Sequence, residues 1–428
     1  MAYRAFSIDA TVIFRRKKPG WGEPRRHGRG SDETALSVAA RCKAAFSFPW
    51  CFKKKRIVSV SFEYSMPTRV VSGAGCLIEK GSLLRGLGTK ALIVTGAHSA
   101  RASGALDDAV RALDANGQAY ALFDGVMNNP GVDCVCRGAE LLGREGCDFV
   151  LAIGGGSPMD AGKAMALLAA ADTPVSGAEM FAASWSRALP VAAVPTTAGT
   201  GSEVTPYAVL TNEAAETKTN VSTPLIFPRL AFLDAAYTRD LSGDVTVNTA
   251  VDALSHAVEG MLTVRSSQLT DSLAGRSIAM IASCLPALRE EDPGMPARET
   301  LLYASTLAGM VIANTGTTAV HGLGYSLTYY KGVAHGRANG LLLPGFLAFV
   351  AEREPERVRA ILACMGMAAV GEFARLMREL LGECPPLEED EIRRYAEKAS
   401  KARSLPNCLV RPDRADLEII IRSALSDA

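Results

Sequence analysis

Histidine is scarce in this chain, with five in 428 residues. No apolar run reaches the roughly 18–20 residues that a membrane-spanning helix needs, so no membrane segment is expected. The ten cysteines form no CxxC pair, and Cys134–Cys136 stand alone as CxC. Scattered free thiols of a reducing, cytoplasmic compartment are the reading they support. No internal repeat is present. Net charge is nearly absent too, at +1, but the sum hides an asymmetry. Residues 1–57 carry 14 Lys+Arg against 4 Asp+Glu, and the remainder carries 32 against 41. The basic segment, with FRRKK and CFKKKR, has no repeating apolar pattern and too little apolar surface to fold alone. A disordered tail, a targeting peptide and a start codon set too far upstream are its three readings, and the lack of a clean apolar stretch argues against a secretory signal. An acidic body gives no support to nucleic-acid binding.

What is present begins near residue 59. VSVSFEYSMPTRVVSG has β-branched residues in short runs and predicts strands. KALIVTG (90–96), AYALFDG, DFVLAIGGG and LPVAAVPTT (189–197) predict further strands, and the first is the glycine-bounded apolar run of a buried parallel strand. Between them SGALDDAVRALDANG (103–117), PGVDCVCRGAELLGREG and SPMDAGKAMALLAAA have helical spacing. Alternation of this kind implies crossovers and a parallel sheet covered on both faces. After FLDAAYTRDL (232–241) strand patterns stop and long helical patterns follow. The chain is also too long for one ordinary core. The expected organisation is therefore a basic extension over 1–58, an α/β domain over 59–239 and a helical domain over 240–428.

Two loops suit a nucleotide. FVLAIGGGSPMDAGKA (149–164) reads strand, glycine loop, helix. Gly154, Gly155 and Gly156 permit a sharp turn and close approach to a ligand, Ser157 is placed as N-cap with Pro158 first in the helix and Asp160 third, and the free N–H groups there suit a phosphate. This loop is neither GxGxxG nor a P-loop. PTTAGTGSEVTP (195–206) also follows a strand and offers hydroxyls on Thr196, Thr197, Thr200 and Ser202. In a doubly wound sheet such loops form the ligand crevice.

VDALSHAVEG puts Asp252 and His256 four apart, on one face of an apolar helix that should turn inward. His321 and His335 sit fourteen positions apart in HGLGYSLTYYKGVAHGRANG, where glycines make one unbroken helix unexpected. Three imidazoles and a carboxylate suit Fe(II) or Zn(II); two satisfied core histidines are the alternative, since spacing does not establish convergence.

GGGSPMDAGKA, PTTAGTGSEVTPY, VDALSHAVEG and HGLGYSLTYYKGVAHGRANG, in this order, resemble the iron-containing (group III) alcohol dehydrogenases over about residues 60–427, and most nearly the 1,3-propanediol dehydrogenase-like branch. The resemblance implies an α/β dinucleotide-binding domain followed by an all-helical domain, an architecture shared with dehydroquinate synthase, with the active site in the cleft. It implies Asp252, His256, His321 and His335 as metal ligands, for Fe(II) with zinc the alternative. It implies Gly154, Gly155, Gly156, Ser157 and Asp160 as the pyrophosphate loop, Thr196, Thr197 and Thr200 as a second cofactor loop, Asn129 near the adenosine and Lys218 reaching the cofactor. It implies hydride transfer between NAD(P)(H) and a small alcohol or aldehyde, in a homodimer.

Two departures from the family pattern stand out. Many members carry a histidine four residues after the third ligand, thought to help proton transfer or substrate orientation; here that place is Tyr325, which would bond the substrate or fill space. Many NAD-specific members carry an aspartate after the strand that matches KALIVTG, next to the threonine, which binds ribose hydroxyls and repels a 2′-phosphate. Here Gly96 stands there, with Ser99 and Arg101 close by in sequence, so NADP(H) is expected over NAD(H). A lyase resembling dehydroquinate synthase, a metal-free maleylacetate-reductase-like enzyme and a non-catalytic relative are the competing readings.

Overall fold

KALIVT and FVLAIG are too short for stable helices and apolar on both faces, and they form two neighbouring interior strands of a sheet that is covered on both sides. The computed structural model describes residues 61–425 apart from 173, 174, 176 and 291; the basic extension expected over 1–58 lies outside the described residues. Strands β1 (Arg69–Ser72), β2 (Lys90–Thr95), β3 (Ala119–Phe123), β4 (Phe149–Gly154), β5 (Val191–Pro195) and β8 (Leu230–Leu233) form a parallel sheet in the order β1–β8–β5–β4–β2–β3. Strands β6 (Tyr207–Asn212) and β7 (Thr217–Ser222) pair as an antiparallel hairpin.

The period-2 alternation of side chains divides the core. Leu92, Val94, Val150 and Ala152 pack on one face against helices α2 (Val132–Arg144) and α3 (Gly156–Ala170). Ala91, Ile93, Leu151 and Ile153 pack on the other against α1 (Ala105–Asn116), which ends at Gly117 in the left-handed region. From β2 the chain steps outward to β3, then returns to β4 on the opposite side of β2. The winding thus reverses between β2 and β4, where Gly96 follows one strand and the glycine loop the other. That reversal is where open α/β sheets hold ligands.

Beyond β8 the described elements are helical: α4 (Gly243–Met261), α5 (Gln268–Ser283), α6 (Gly294–Thr315), α7 (Ala319–Lys331), α8 (His335–Ala351), α9 (Pro355–Cys364), α10 (Val370–Leu381), α11 (Glu389–Ser400) and α12 (Arg414–Leu425). Gly332, left-handed at φ 66, ends α7, so the two histidines of the HGLGYSLTYYKGVAH stretch lie on successive helices. Ala198, Ala231 and Leu233 of the α/β part join the core of the helical part. No described helix is long and apolar enough to cross a membrane.

Two local expectations are corrected. Among the described residues, the strand signal over VSVSFEYSMPTRVVSG survives only at Arg69–Ser72. Pro67 has no N–H for a ladder, and the Ser65 N–H and C=O are taken by the Asn314 amide of α6 at 2.7 and 3.1 Å. The N-cap of α3 is Gly155, two residues ahead of Ser157. Gly154, at φ 149, turns the chain early, and a Cβ there would meet the Pro158 ring at 2.6 Å.

Candidate metal centre

Asp252 and His256 stand one helical turn apart on α4, and both are buried. His321 lies in the first turn of α7, and His335 opens α8. The helix crossings bring one donor atom each from Asp252, His321 and His335 within 4.8 Å of one another. His256 Nε2 lies 3.9 Å and His335 Nε2 3.8 Å from Asp252 Oδ1. The His256 ring stacks on His321 with centroids 4.8 Å apart, so His256 adjoins the set of three. Close packing permits this approach. A Cβ on Gly336 would overlap the Asn248 carbonyl of α4, and one on Gly324 would overlap the Asn339 side chain of α8.

Glu259, one turn beyond His256, is fully buried. It accepts from Thr318 N and Oγ1 at 2.8 and 2.6 Å and bonds Nδ1 of His321. A proton held on Nδ1 leaves Nε2 of His321 with a lone pair facing Asp252 and His335. Burial pushes the His321 pKa down, but the Glu259 charge and bond more than offset it, so it lies above its ordinary value. Burial, then the charges of Lys218 and the other two imidazoles, hold His335 well below its ordinary value, and burial lowers His256 as well. Neutral imidazole is the ligating form. Nδ1 of His335 is buried with no hydrogen-bond partner. The Gly199 carbonyl faces His256, but Nδ1 of that ring forms no well-aligned bond. A carboxylate and three inward nitrogens, buried and only partly satisfied, fit an Fe(II) or Zn(II) ion. The His335 side chain is 23% exposed against 5% for Asp252, so the set opens on the His335 side.

The second loop reaches the centre at Gly199, which faces His256 and packs on Thr249 of α4. A Cβ on Gly155 would meet Thr197 Oγ1 at 3.1 Å, and one on Gly156 would meet Thr200 at 2.6 Å, so the two loops touch through bare backbone. Asp160 does not cap the helix; it accepts from Ser202 Oγ at 2.6 Å and Val209 N at 3.0 Å, tying α3 to the second loop. Lys163 beneath it donates to Ser202 Oγ, Thr205 Oγ1 and Tyr207 O. Thr196 is buried with an unpartnered hydroxyl. Asn129 holds a left-handed φ of 55, and its N–H donates to Ser157 Oγ at 3.2 Å. Lys218 on β7 feels both Asp252 and Asp160; burial outweighs their charges and lowers its pKa to about 8. Tyr325 stacks on His335 with centroids 5.5 Å apart. Burial, with Glu259, Asp160 and Asp252 nearby, raises its phenol far above the ordinary value. A Cβ on Gly96 would point at Val126 O and Ser99 Oγ, while Arg101 pairs with Asp124 at 3.3 Å.

Sequence reasoning missed Glu259, Asn339 and Lys163. The first two were within reach: Glu259 follows His256 by three and Asn339 follows His335 by four, the spacings of one helix face.

A doubly wound sheet whose loops face a helical domain bearing an inward Asp/His/His set defines a class, the two-domain metal-site oxidoreductases. Residues 67–235 match the family model described as iron-containing alcohol dehydrogenase, and 246–425 match the Fe-containing alcohol dehydrogenase family, C-terminal. The chain belongs to the iron-containing alcohol dehydrogenase family and is an oxidoreductase. It is 33% identical over 313 residues to the 1,3-propanediol dehydrogenase of Klebsiella pneumoniae, covering 72% of this chain and 81% of that one. It is 31% identical over 306 residues to the NAD-dependent methanol dehydrogenase of Bacillus methanolicus, covering 71% and 80%. A crystal structure of an iron-containing alcohol dehydrogenase from Thermotoga maritima superposes with TM-score 0.79 at 38% identity, covering 85% of this chain and 99% of that one.

Proposed function

We propose that the chain reduces small aldehydes, and oxidises the matching primary alcohols, with NADP(H) and a divalent metal held by Asp252, His256, His321 and His335. The observation that carries this reading is the convergence of donor atoms of Asp252, His321 and His335 within 4.8 Å of one another. When bound, the metal supplies Lewis acidity toward the substrate oxygen. The chain's own groups do the rest. The Gly154–Gly156 backbone leaves room for a pyrophosphate, and Lys218 places an ammonium between the loops and Asp252. Held by the glycine loop, a nicotinamide cofactor would supply the hydride chemistry. Tyr325 is no base, because its phenol stays protonated through the neutral range. It donates a hydrogen bond toward the substrate oxygen on the open side of His335.

The missing carboxylate at Gly96 supports NADP(H), since nothing at that position repels a 2′-phosphate. Ser99 and Arg101 supply donors, Arg101 by exchanging Asp124 for the phosphate. The domain division at 239/240, a cytoplasmic setting suited to free thiols and a homodimer belong to the same reading. The test follows NADPH and NADH oxidation separately with a short aldehyde panel, with and without Fe(II). Iron-dependent oxidation that favours NADPH is expected, and Gly96→Asp is expected to shift the ratio of kcat/KM toward NADH by about tenfold or more. Full activity after metal stripping would sink the metal role, preference for NADH would sink the cofactor choice, and a folded, metal-loaded protein silent on every aldehyde would favour the non-catalytic reading.

A further inference from the structure

Asn339 has an amide environment that packing alone does not account for. The residue is fully buried on α8, one turn after His335. Its Nδ2 lies 3.2 Å from Asp252 Oδ1, 3.2 Å from His321 Nε2 and 3.3 Å from His335 Nε2. An amide N–H2 has two hydrogens, and here three acceptor atoms converge on it. With His321 Nδ1 bonded to Glu259, the Nε2 atom offers its lone pair. Turning the amide over would set a carbonyl oxygen against a carboxylate and two lone pairs, so electrostatics fixes the N–H2 inward. The other end is left unsatisfied: Oδ1 is buried without a partner, pressed on the bare Cα of Gly324. An orphaned buried carbonyl is a cost that a mere space-filling residue would not carry.

We propose that Asn339 is the positioning residue of the metal centre. Its amide holds Asp252, His321 and His335 converged on one point in the metal-free protein, and it yields the two imidazole lone pairs to the arriving cation. Its bond to Asp252 orients the carboxylate toward the metal. Gly324 belongs to the same device, because only a residue without Cβ lets the amide stand between α7 and α8. This inference rests on the metal reading of Asp252, His321 and His335, and deepens it.

Cobalt(II) is the probe, titrated into metal-stripped parent, Asn339→Ala and Asn339→Leu proteins against a chromophoric chelator, with the ligand-field band recorded. Leu fills most of the volume without a donor, and Ala covers the case in which Leu fails to fold. The expected result is one Co(II) per parent chain and affinity lower by about 10–100-fold in both variants, with a shifted band. Parent-like affinity and band in either folded variant would overturn the role of Asn339 while leaving the metal centre standing. A parent that takes up no Co(II) would overturn the metal reading, and this inference with it.

Discussion

A single ammonium stands near the carboxylates of Asp252 and Asp160. Lys218 is partly buried, and burial lowers its pKa to about 8 against the pull of Asp252 and Asp160. In the proposed cofactor role an anionic ligand would bind the protonated form, with affinity full below that value and falling as pH rises through it. The KM for NADPH is expected to climb above pH 8, toward about tenfold per pH unit. Lys218→Arg keeps its charge at all working pH values. Its KM is expected to stay flat to about pH 10, and a profile like the parent's would remove Lys218 from the cofactor site. This residue was visible in the sequence only through the family resemblance, since ETKTNVS has no chemistry of its own. Asp252 and His256 were visible from spacing, and His321 and His335 as scarce residues in a polar stretch. Their convergence was not, because it depends on the angle at which α7 and α8 cross α4.

Elements meet at glycines, and that is where the sequence was hardest to interpret. Gly199 packs on Thr249 of α4, and Gly201 on Gly309 of α6 at 2.5 Å from an added Cβ, so the second loop is wedged into the helical part. PTTAGTGSEVTP reads alone as a ligand loop, yet both of its glycines serve helix packing. The strand order was legible only as parallel alternation, and the position of the reversal between β2 and β4 came from pairing. Gly336 gives the sharpest test at this scale. A Cβ there would overlap the Asn248 carbonyl, a backbone atom inside α4 that has no rotamer to yield. Gly336→Ala is expected to push α8 off α4, separate His335 from Asp252, cost about 1–3 kcal/mol and weaken metal uptake. Chemical denaturation and metal titration of the same variant check both; unchanged values would mean that this crossing does not set the centre.

The two parts of the described chain share more than a cleft. Leu233 and Ala235, at the end of the sheet, lie in the same apolar cluster as Val251, Leu254 and Phe346. Arg298 of α6 is buried and reaches back to the Thr238 and Leu241 carbonyls of the connection. The proposed metal ligands lie on α4, α7 and α8, and α4 begins where that connection ends. A cation bound only by the folded form stabilises it by about 2.7 kcal/mol at 100 times its Kd. Because the ends of the sheet share the helical part's apolar cluster, that energy is expected to act on sheet and helices together. Calorimetry of the iron-loaded and chelator-treated protein should then give one transition that moves as a whole, and Asp252→Ala should erase the difference. Two transitions of which only one moves with metal would mean that the sheet and the helices unfold separately, and that the cleft is a contact between independent bodies.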